Sequence, residues 1–386
     1  MIILQEELQK SLQSTRRVGG FTHNFYRYPA RFTPEFTSEV IREFSKEGDY
    51  VLDAFMGGGT TIVEAIASGR NAIGIDINPL AYFIAKVKTT PLSTRNQESI
   101  LYWAHRMNFH EIADKRLALT DSRLRNMPES LENLFIHAVS TVSQLEFPRQ
   151  RRFARCVLLR LGQWAIDCRQ DVPSPSHMNI QLVRQVNEML NGLNDFIEAA
   201  KNQGIPKNKI TDRRGLYLGT IHEAMRNKSF TRFYAKPKLV MTSPPYPGVH
   251  VLYHRWQVYG RRETPAPYWL ANLSDGHGES FYTLGGRSAS GLKNYFTKLT
   301  DTFCDIRQFI NPKALVVQLV GFSDPDIQLP AFLNSMQLAG YEELKLSGSS
   351  DWQRPSREVP NRKWYIYSGS TQYASNEILL IHRPRN

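Results

Sequence analysis

The chain has 386 residues, a formal net charge of +12 and a pI near 9.5, with 41% hydrophobic and 22% charged residues. That length suits two domains or one large α/β core with an insertion, and no apolar run approaches the roughly 20 residues that cross a bilayer. Three cysteines, Cys156, Cys168 and Cys304, show neither a disulfide framework nor metal-ligand spacing, so a reducing cytoplasm and no metal are expected, while the basic balance points to a polyanion such as nucleic acid.

In chain order, "DYVLD" (49–53) reads as a short buried strand, "AFMGGGTT" as a glycine loop, and "IVEAIASG" as a helix stopped at Gly69. "NAIGIDIN" is a second strand, and Pro79 opens the helix "LAYFIAKVK". Strand, loop, helix, strand is a βαβ unit, which implies a parallel sheet with a right-handed crossover. Residues 93–210 are polar and place apolar side chains at i, i+3, i+4 and i+7, the spacing of a helical insertion. The α/β rhythm resumes with strands at "GLYLGT", "PKLVMTS", "KALVVQLVG", "YEELKLSG" and "NEILLIHRP", and with helices at "NYFTKLTDTFCDIRQFI" and "DIQLPAFLNSMQLAG". The expected fold is α/β: a doubly wound, Rossmann-like sheet of seven strands split by a helical insert. Residues 1–92 form its ligand-binding half, 93–210 the insert, and 211–386 the other half with a basic, aromatic segment at 247–294.

The glycine loop sits where the first strand enters its helix, so free backbone N–H groups and close approach to a ligand are available. Its spacing is neither GxGxxG nor a phosphate-binding loop with a lysine. Asp53 at its mouth would repel a pyrophosphate and attract an amine, and Asp76 at the end of strand two can accept hydrogen bonds from a ribose diol. Together these favour a nucleoside carrying an amino acid, and S-adenosyl-L-methionine has those parts.

"LVMTSPPY" places Ser243, Pro244, Pro245 and Tyr246 at the carboxyl end of strand four, next to strand one, where ligand sites of such sheets lie. An exocyclic amine of a nucleobase is a poor nucleophile, because its lone pair is delocalised into the ring. The Ser243 side chain and the Pro244 carbonyl can accept its N–H groups, the prolines fix that carbonyl's direction, and Tyr246 offers a face to a base taken out of its stack. Attack at a ring carbon would call for a thiolate, and no cysteine lies in this loop.

The pair "DAFMGGGTT" and "TSPPY" resembles the amino-directed DNA methyltransferases of bacterial restriction–modification systems, and "HNFYRYPARFTPEF" (23–36) is similar to the segment that such enzymes place before the first strand. The resemblance covers roughly 20–90 and 212–386. It implies S-adenosyl-L-methionine as cofactor, duplex DNA as substrate, no membrane and a cognate restriction endonuclease as a possible partner. Ser-Pro-Pro-Tyr is commonest among enzymes that make N4-methylcytosine. N6-adenine methylation, an RNA amine, or a non-catalytic nucleic-acid-binding role are the alternatives. Carried over by position, Asp53, Ala54, Phe55, Gly57, Gly59 and Thr60 fall on the family's cofactor loop. Asp76 and Ile77 fall on its ribose-binding turn, Pro29 and Arg31 on its upstream segment, and Ser243 to Tyr246 on its catalytic loop. "LYLGTIHEA" lacks the acidic residue that many members show after its glycine, which leaves Thr220 or Ile221 for the adenine contact.

Two segments could hold DNA. The insert carries "FPRQRRFARCVLLR", with Arg149, Arg151, Arg152 and Arg155 as phosphate contacts. Segment 247–294 interleaves His250, His254, Arg255, Trp256, Arg261, Arg262 and Arg287 with tyrosines beside the catalytic loop, a composition suited to splayed or flipped bases. "SGSSDWQRPSREVPNRKWYIYSGS" (347–370) is expected to leave the sheet as an excursion.

Overall fold

Tyr50–Asp53 form β1, whose Val51 and Leu52 are wholly buried against opposite faces of a sheet. The computed structural model describes residues 4–14, 16, 18–28, 31–111, 121–232, 234–247, 255–259, 262–275, 283–286, 288–345, 354–359 and 375–385. The further strands are β2 (Asn71–Asp76), β3 (Arg214–Leu218), β4 (Leu239–Thr242), β5 (Trp256–Val258), β6 (Arg262–Thr264), β7 (Leu315–Gly321), β8 (Tyr341–Glu343), β9 (Ser356–Val359) and β10 (Ser375–Pro384).

The principal sheet has eight strands in the order β3-β2-β1-β4-β7-β10-β8, with β9 added to β10. Strands β3, β2, β1, β4 and β7 run parallel, and β10 returns antiparallel between β7 and β8. The Rossmann-like α/β class expected of the sequence is borne out. The seven expected strands are present, and the eighth, β9, lies inside the stretch read as an excursion. The paired β5 and β6 form a separate two-stranded sheet within 247–294. Both additions are short strands whose alternation is too brief to stand out from a loop.

The order turns back at β1, which pairs with Asn71–Gly74 on one side and with Leu239–Val240 on the other. Right-handed crossovers leading away in both directions put helices on both faces. The helices Thr60–Ala67 and Pro79–Lys88 cover the face of Val51, Ala72 and Met241, and Ile221–Arg226, Ala289–Phe309 and Pro325–Leu338 cover the face of Leu52, Ile73 and Val240. The dipeptide Asn78-Pro79 starts one of them as expected: Asn78 Oδ1 accepts from Leu80 N at 2.9 Å, and proline fits a first turn that needs no donor.

Residues 94–213 contribute the helices Thr94–Arg106, Glu129–Val142, Pro148–Ile166 and Pro175–Asn202. Their apolar stripes, with Phe153, Leu158, Leu182 and Leu193 at 0–1% exposure, join those of Thr60–Ala67 and Pro79–Lys88 in one cluster. The long helices therefore form an outer layer on one face of the sheet. Pro148–Ile166 also receives the β5–β6 hairpin: Trp256 packs onto Gly162, where a Cβ would come within 2.5 Å of the indole. Trp256 Nε1 donates to the Tyr26 hydroxyl at 2.9 Å. No helix among the described residues is long and apolar enough to cross a membrane.

Candidate active site

A cleft opens at the carboxyl ends of β1, β2, β3 and β4. Its lining includes Asp53, Ala54, Phe55, Gly57 and Thr60 from the glycine loop, Asp76 and Ile77 after β2, Thr220 after β3, and Ser243 to Tyr246 after β4. Arg31, from the segment before β1, also faces it. Residues widely spaced in the chain thus meet where the sheet order reverses. Among those assigned to the cofactor loop, Gly59 does not line the cleft. Its φ of +73° starts the helix Thr60–Ala67 in a left-handed turn, and a Cβ there would sit 3.0 Å from Ala85, so its work is local. Gly58 faces the cleft in its place. Pro29 lies outside the described residues.

The glycine loop is braced from three sides. Gly57 N donates to Asp76 Oδ2 at 2.8 Å. Tyr28 packs so closely that a Cβ on Gly58 would meet its Cβ at 2.9 Å and one on Gly57 would meet its ring at 3.1 Å. From beneath, Lys88 Nζ donates to Gly58 O at 2.6 Å. Lys88 is 0% exposed, and burial, followed by the nearby Arg31, pushes its ammonium down to about 7. Arg31 Nη1 in turn donates to His23 O at 2.9 Å and Tyr26 O at 3.2 Å, which closes the upstream segment on itself beside the loop. His23 and Glu64 share a buried hydrogen bond of 2.6 Å beside them, and burial drives both toward their neutral forms.

Two carboxyls face the cleft. Asp53, 2% exposed, accepts from Thr242 Oγ1 at 2.8 Å and from Phe55 N at 3.2 Å through the same oxygen. Asp76 accepts from Gly57 N and, at 2.8 Å, from Asn78 N. Burial raises each from 3.8 to about 6. Between about pH 4 and 6 the folded chain holds more protons than the unfolded one, so each carboxyl weakens the fold as pH rises through that window. Above about 6 both are largely ionised, the state a cationic or hydroxyl-bearing ligand requires.

The lining fits S-adenosyl-L-methionine by the chemistry of its donors and acceptors. A carboxylate offers about four lone-pair sites, and the two bonds to Asp76 leave acceptors for a ribose diol. Thr60 lines the cleft, and its buried Oγ1 has no partner among the described residues. Thr220 caps its helix through a reciprocal pair with Glu223, which leaves Gly219, Thr220 and Ile221 as a neutral edge to the cleft.

On the opposite wall, Ser243 Oγ donates to Leu319 O at 2.7 Å. Its single proton is committed there, so the lone pairs are what it can offer a substrate. The Tyr295 hydroxyl donates to Pro245 O at 2.6 Å, and among the described residues no donor reaches Pro244 O. The Tyr246 hydroxyl is hydrogen-bonded to Glu377. Sequence reasoning did not name Tyr28, Phe32, Met56, Asn78, Thr283, Leu284 or Thr302, all of which line the cleft. Tyr28 and Phe32 belong to the quoted upstream motif and could have been found there, whereas Thr283, Leu284 and Thr302 carry no local signal.

The basic residues assigned to DNA fall apart as a group. Arg255 is 7% exposed and paired with Asp275 at 2.6 Å, so its charge is spent inside the protein, which corrects its assignment as a DNA contact. Arg151 donates to Leu145 O and Glu146 O at 2.7 and 2.9 Å, and Arg155 donates to Leu270 O at 2.9 Å, so both are tied to carbonyls rather than presented to phosphates. Arg152 packs beside Val87 and Thr90, away from the cleft lining. Arg262 is exposed on β6. His250, His254, Arg261 and Arg287 lie outside the described residues.

Residues 4–87 match a family model described as DNA methylase. The Type II methyltransferase M.MvaI of Kocuria varians is 35% identical over 100 residues, 23% of this chain and 22% of that one. The Type II methyltransferase M.MjaII of Methanocaldococcus jannaschii is 33% identical over 98 residues, 25% of this chain and 18% of that one. The chain therefore spans about a fifth of the length of these curated relatives. A ribosomal-RNA methyltransferase of Streptomyces viridochromogenes aligns over 98% of this chain and 94% of its own, with 8% identity and a TM-score of 0.34. The family match and the curated relatives bear out the resemblance to amino-directed DNA methyltransferases of restriction–modification type.

Proposed function

We propose that the chain transfers a methyl group from S-adenosyl-L-methionine to the exocyclic amine of a base in duplex DNA, with N4 of cytosine as the acceptor. The observation that carries this reading is one cleft in which Asp76, Asp53 and the glycine loop face Ser243 to Tyr246. The cofactor supplies an electrophilic methyl on a sulfonium. Asp76 accepts the ribose hydroxyls, Asp53 attracts the ammonium, and Gly219 to Ile221 border the adenine. Ser243 Oγ, its proton held by Leu319 O, and Pro244 O accept the two N–H groups of the amine. Accepting both would draw the nitrogen toward tetrahedral geometry and free its lone pair. The N–C bond would then form as the S–C bond breaks, the neutral thioether would leave, and the surplus N–H proton would pass to water. Tyr246 gives the extruded base an aromatic face. No covalent intermediate with the chain is required.

The proposal extends to a cytoplasmic setting and to a cognate nuclease as partner. Incubating unmodified bacterial DNA with the chain and isotopically labelled cofactor, followed by mass spectrometry of the nucleosides, tests it. N4-methylcytosine is expected. Label found on adenine N6 alone would reject the base assignment, and label on RNA alone would reject DNA as substrate.

A further inference from the structure

Three residues outside the catalytic loop lie side by side across three strands and together hold Tyr246. Glu377 of β10 is in register with Gly321 of β7 on one side and with Arg357 of β9 on the other. The Tyr246 hydroxyl bonds to Glu377 Oε1, while Arg357 holds Glu377 Oε2 through two nitrogens at 2.8 and 2.6 Å. Gly321 supplies the space: a Cβ there would come within 2.9 Å of Tyr246 Cε2. The polar members are all buried, Glu377 at 1% exposure, Tyr246 at 6% and Arg357 at 8%.

A carboxylate this deep is costly without a counter-charge, and Arg357 supplies one. An ionised carboxylate only accepts, so the phenol must be the donor, and a charge-assisted bond fixes its direction. The ring is then constrained at both ends, by the chain at Pro245 and by Glu377 at the hydroxyl, with its edge against Gly321. A residue needed only to tie β10 to the sheet would not have to reach the catalytic loop. We infer that Arg357, Glu377 and Gly321 are positioning residues that set the plane of Tyr246 for the extruded base, an inference that rests on the nucleobase methylation proposed above.

Methyl transfer from tritiated S-adenosylmethionine to unmodified bacterial DNA, with the dissociation constant of the cofactor measured alongside, tests this with a double-mutant cycle. Tyr246→Phe and Glu377→Gln are each expected to lower kcat about tenfold, the scale of one hydrogen bond to a charged group, with the cofactor constant unchanged within about twofold. The double variant is expected to be no worse than the poorer single one, because both remove the same bond. Gly321→Ala, which removes no polar group, is expected to lower kcat comparably by displacing the ring. Losses that multiply in the double variant, or a cofactor constant that weakens in step with kcat, would overturn the positioning role. Should Glu377→Gln not fold, Tyr246→Phe and Gly321→Ala as single variants carry the test, each expected to lower kcat about tenfold with the cofactor constant unchanged. A wild-type chain that methylates no DNA overturns the proposed function and this inference together. Wild-type transfer that survives intact in Tyr246→Phe overturns the inference alone.

Discussion

The two walls of the cleft are built by different means. On the cofactor side, the bonds that shape the loop span short stretches of chain: Gly57 to Asp76 is 19 positions and Gly58 to Lys88 is 30. On the catalytic side, Pro245 is held by Tyr295 at 50 positions, Ser243 by Leu319 at 76, and Tyr246 by Glu377 at 131. The glycine loop itself is thus shaped largely within one βαβ unit, by Lys88 and Asp76, although Asp53 is also held by Thr242 of β4, 189 positions away. The second wall is an irregular, proline-stiffened loop that acquires its geometry only once β7 and β10 have paired. Under the proposed function, the contrast assigns cofactor binding to one wall and chemistry to the other, which makes the walls separable by mutation.

The largest effect should come from the catalytic wall. Ser243→Ala removes the acceptor proposed for the substrate amine, and kcat is expected to fall about a hundredfold while the cofactor constant, read by calorimetry, stays within about twofold. A cofactor constant that falls with kcat would erase the distinction between the walls. The mirror experiment is Asp76→Ala, which removes the proposed ribose acceptor and leaves Gly57 N without its partner. Cofactor affinity is expected to weaken about thirtyfold, with kcat at saturating cofactor much less affected.

Acidity should act on the same side. Burial raises both carboxyls to about 6 in the folded chain, and the proposed cofactor contacts need them ionised. Affinity is therefore expected to fall below pH 6, by about tenfold per carboxyl for each further unit, while kcat at saturating cofactor changes less. A pH-independent affinity between 7 and 5 would remove both from the cofactor site. The smallest effect concerns DNA. Arg262→Ala is expected to weaken DNA binding severalfold and to reduce the salt slope by about one, whereas Arg151→Ala, whose guanidinium is engaged by Leu145 O and Glu146 O, should leave the slope unchanged. Equal effects from the two would mean that residues 148–166 contact phosphate after all.

Much of the site was legible because its parts are local. A strand followed by Gly57-Gly58-Gly59, an acid at the end of the next strand and Ser-Pro-Pro-Tyr after a hydrophobic run each declare themselves within about ten residues, through turn chemistry and hydrophobic period. Their meeting could be anticipated from the rule that ligands sit where sheet order reverses. Arg255 shows what could not be read. Its neighbours in sequence are basic and aromatic, and only folding brings Asp275 to it and buries both. Gly59 shows the same on a smaller scale, since only the left-handed turn and the nearness of Ala85 separate its role from that of Gly58.

By itself, then, the sequence determined the α/β class, the helical spacing of 93–210 and which loops would line one cleft. The tertiary structure alone decided which basic side chains remain outside, that the long helices layer onto one face of the sheet, and that Tyr246 is seated by Gly321, Glu377 and Arg357. The physical reason is range. Helical and strand periods and turn residues act over a few positions, whereas burial, charge pairing and strand register bring together residues whose separation along the chain carries no signal of their contact.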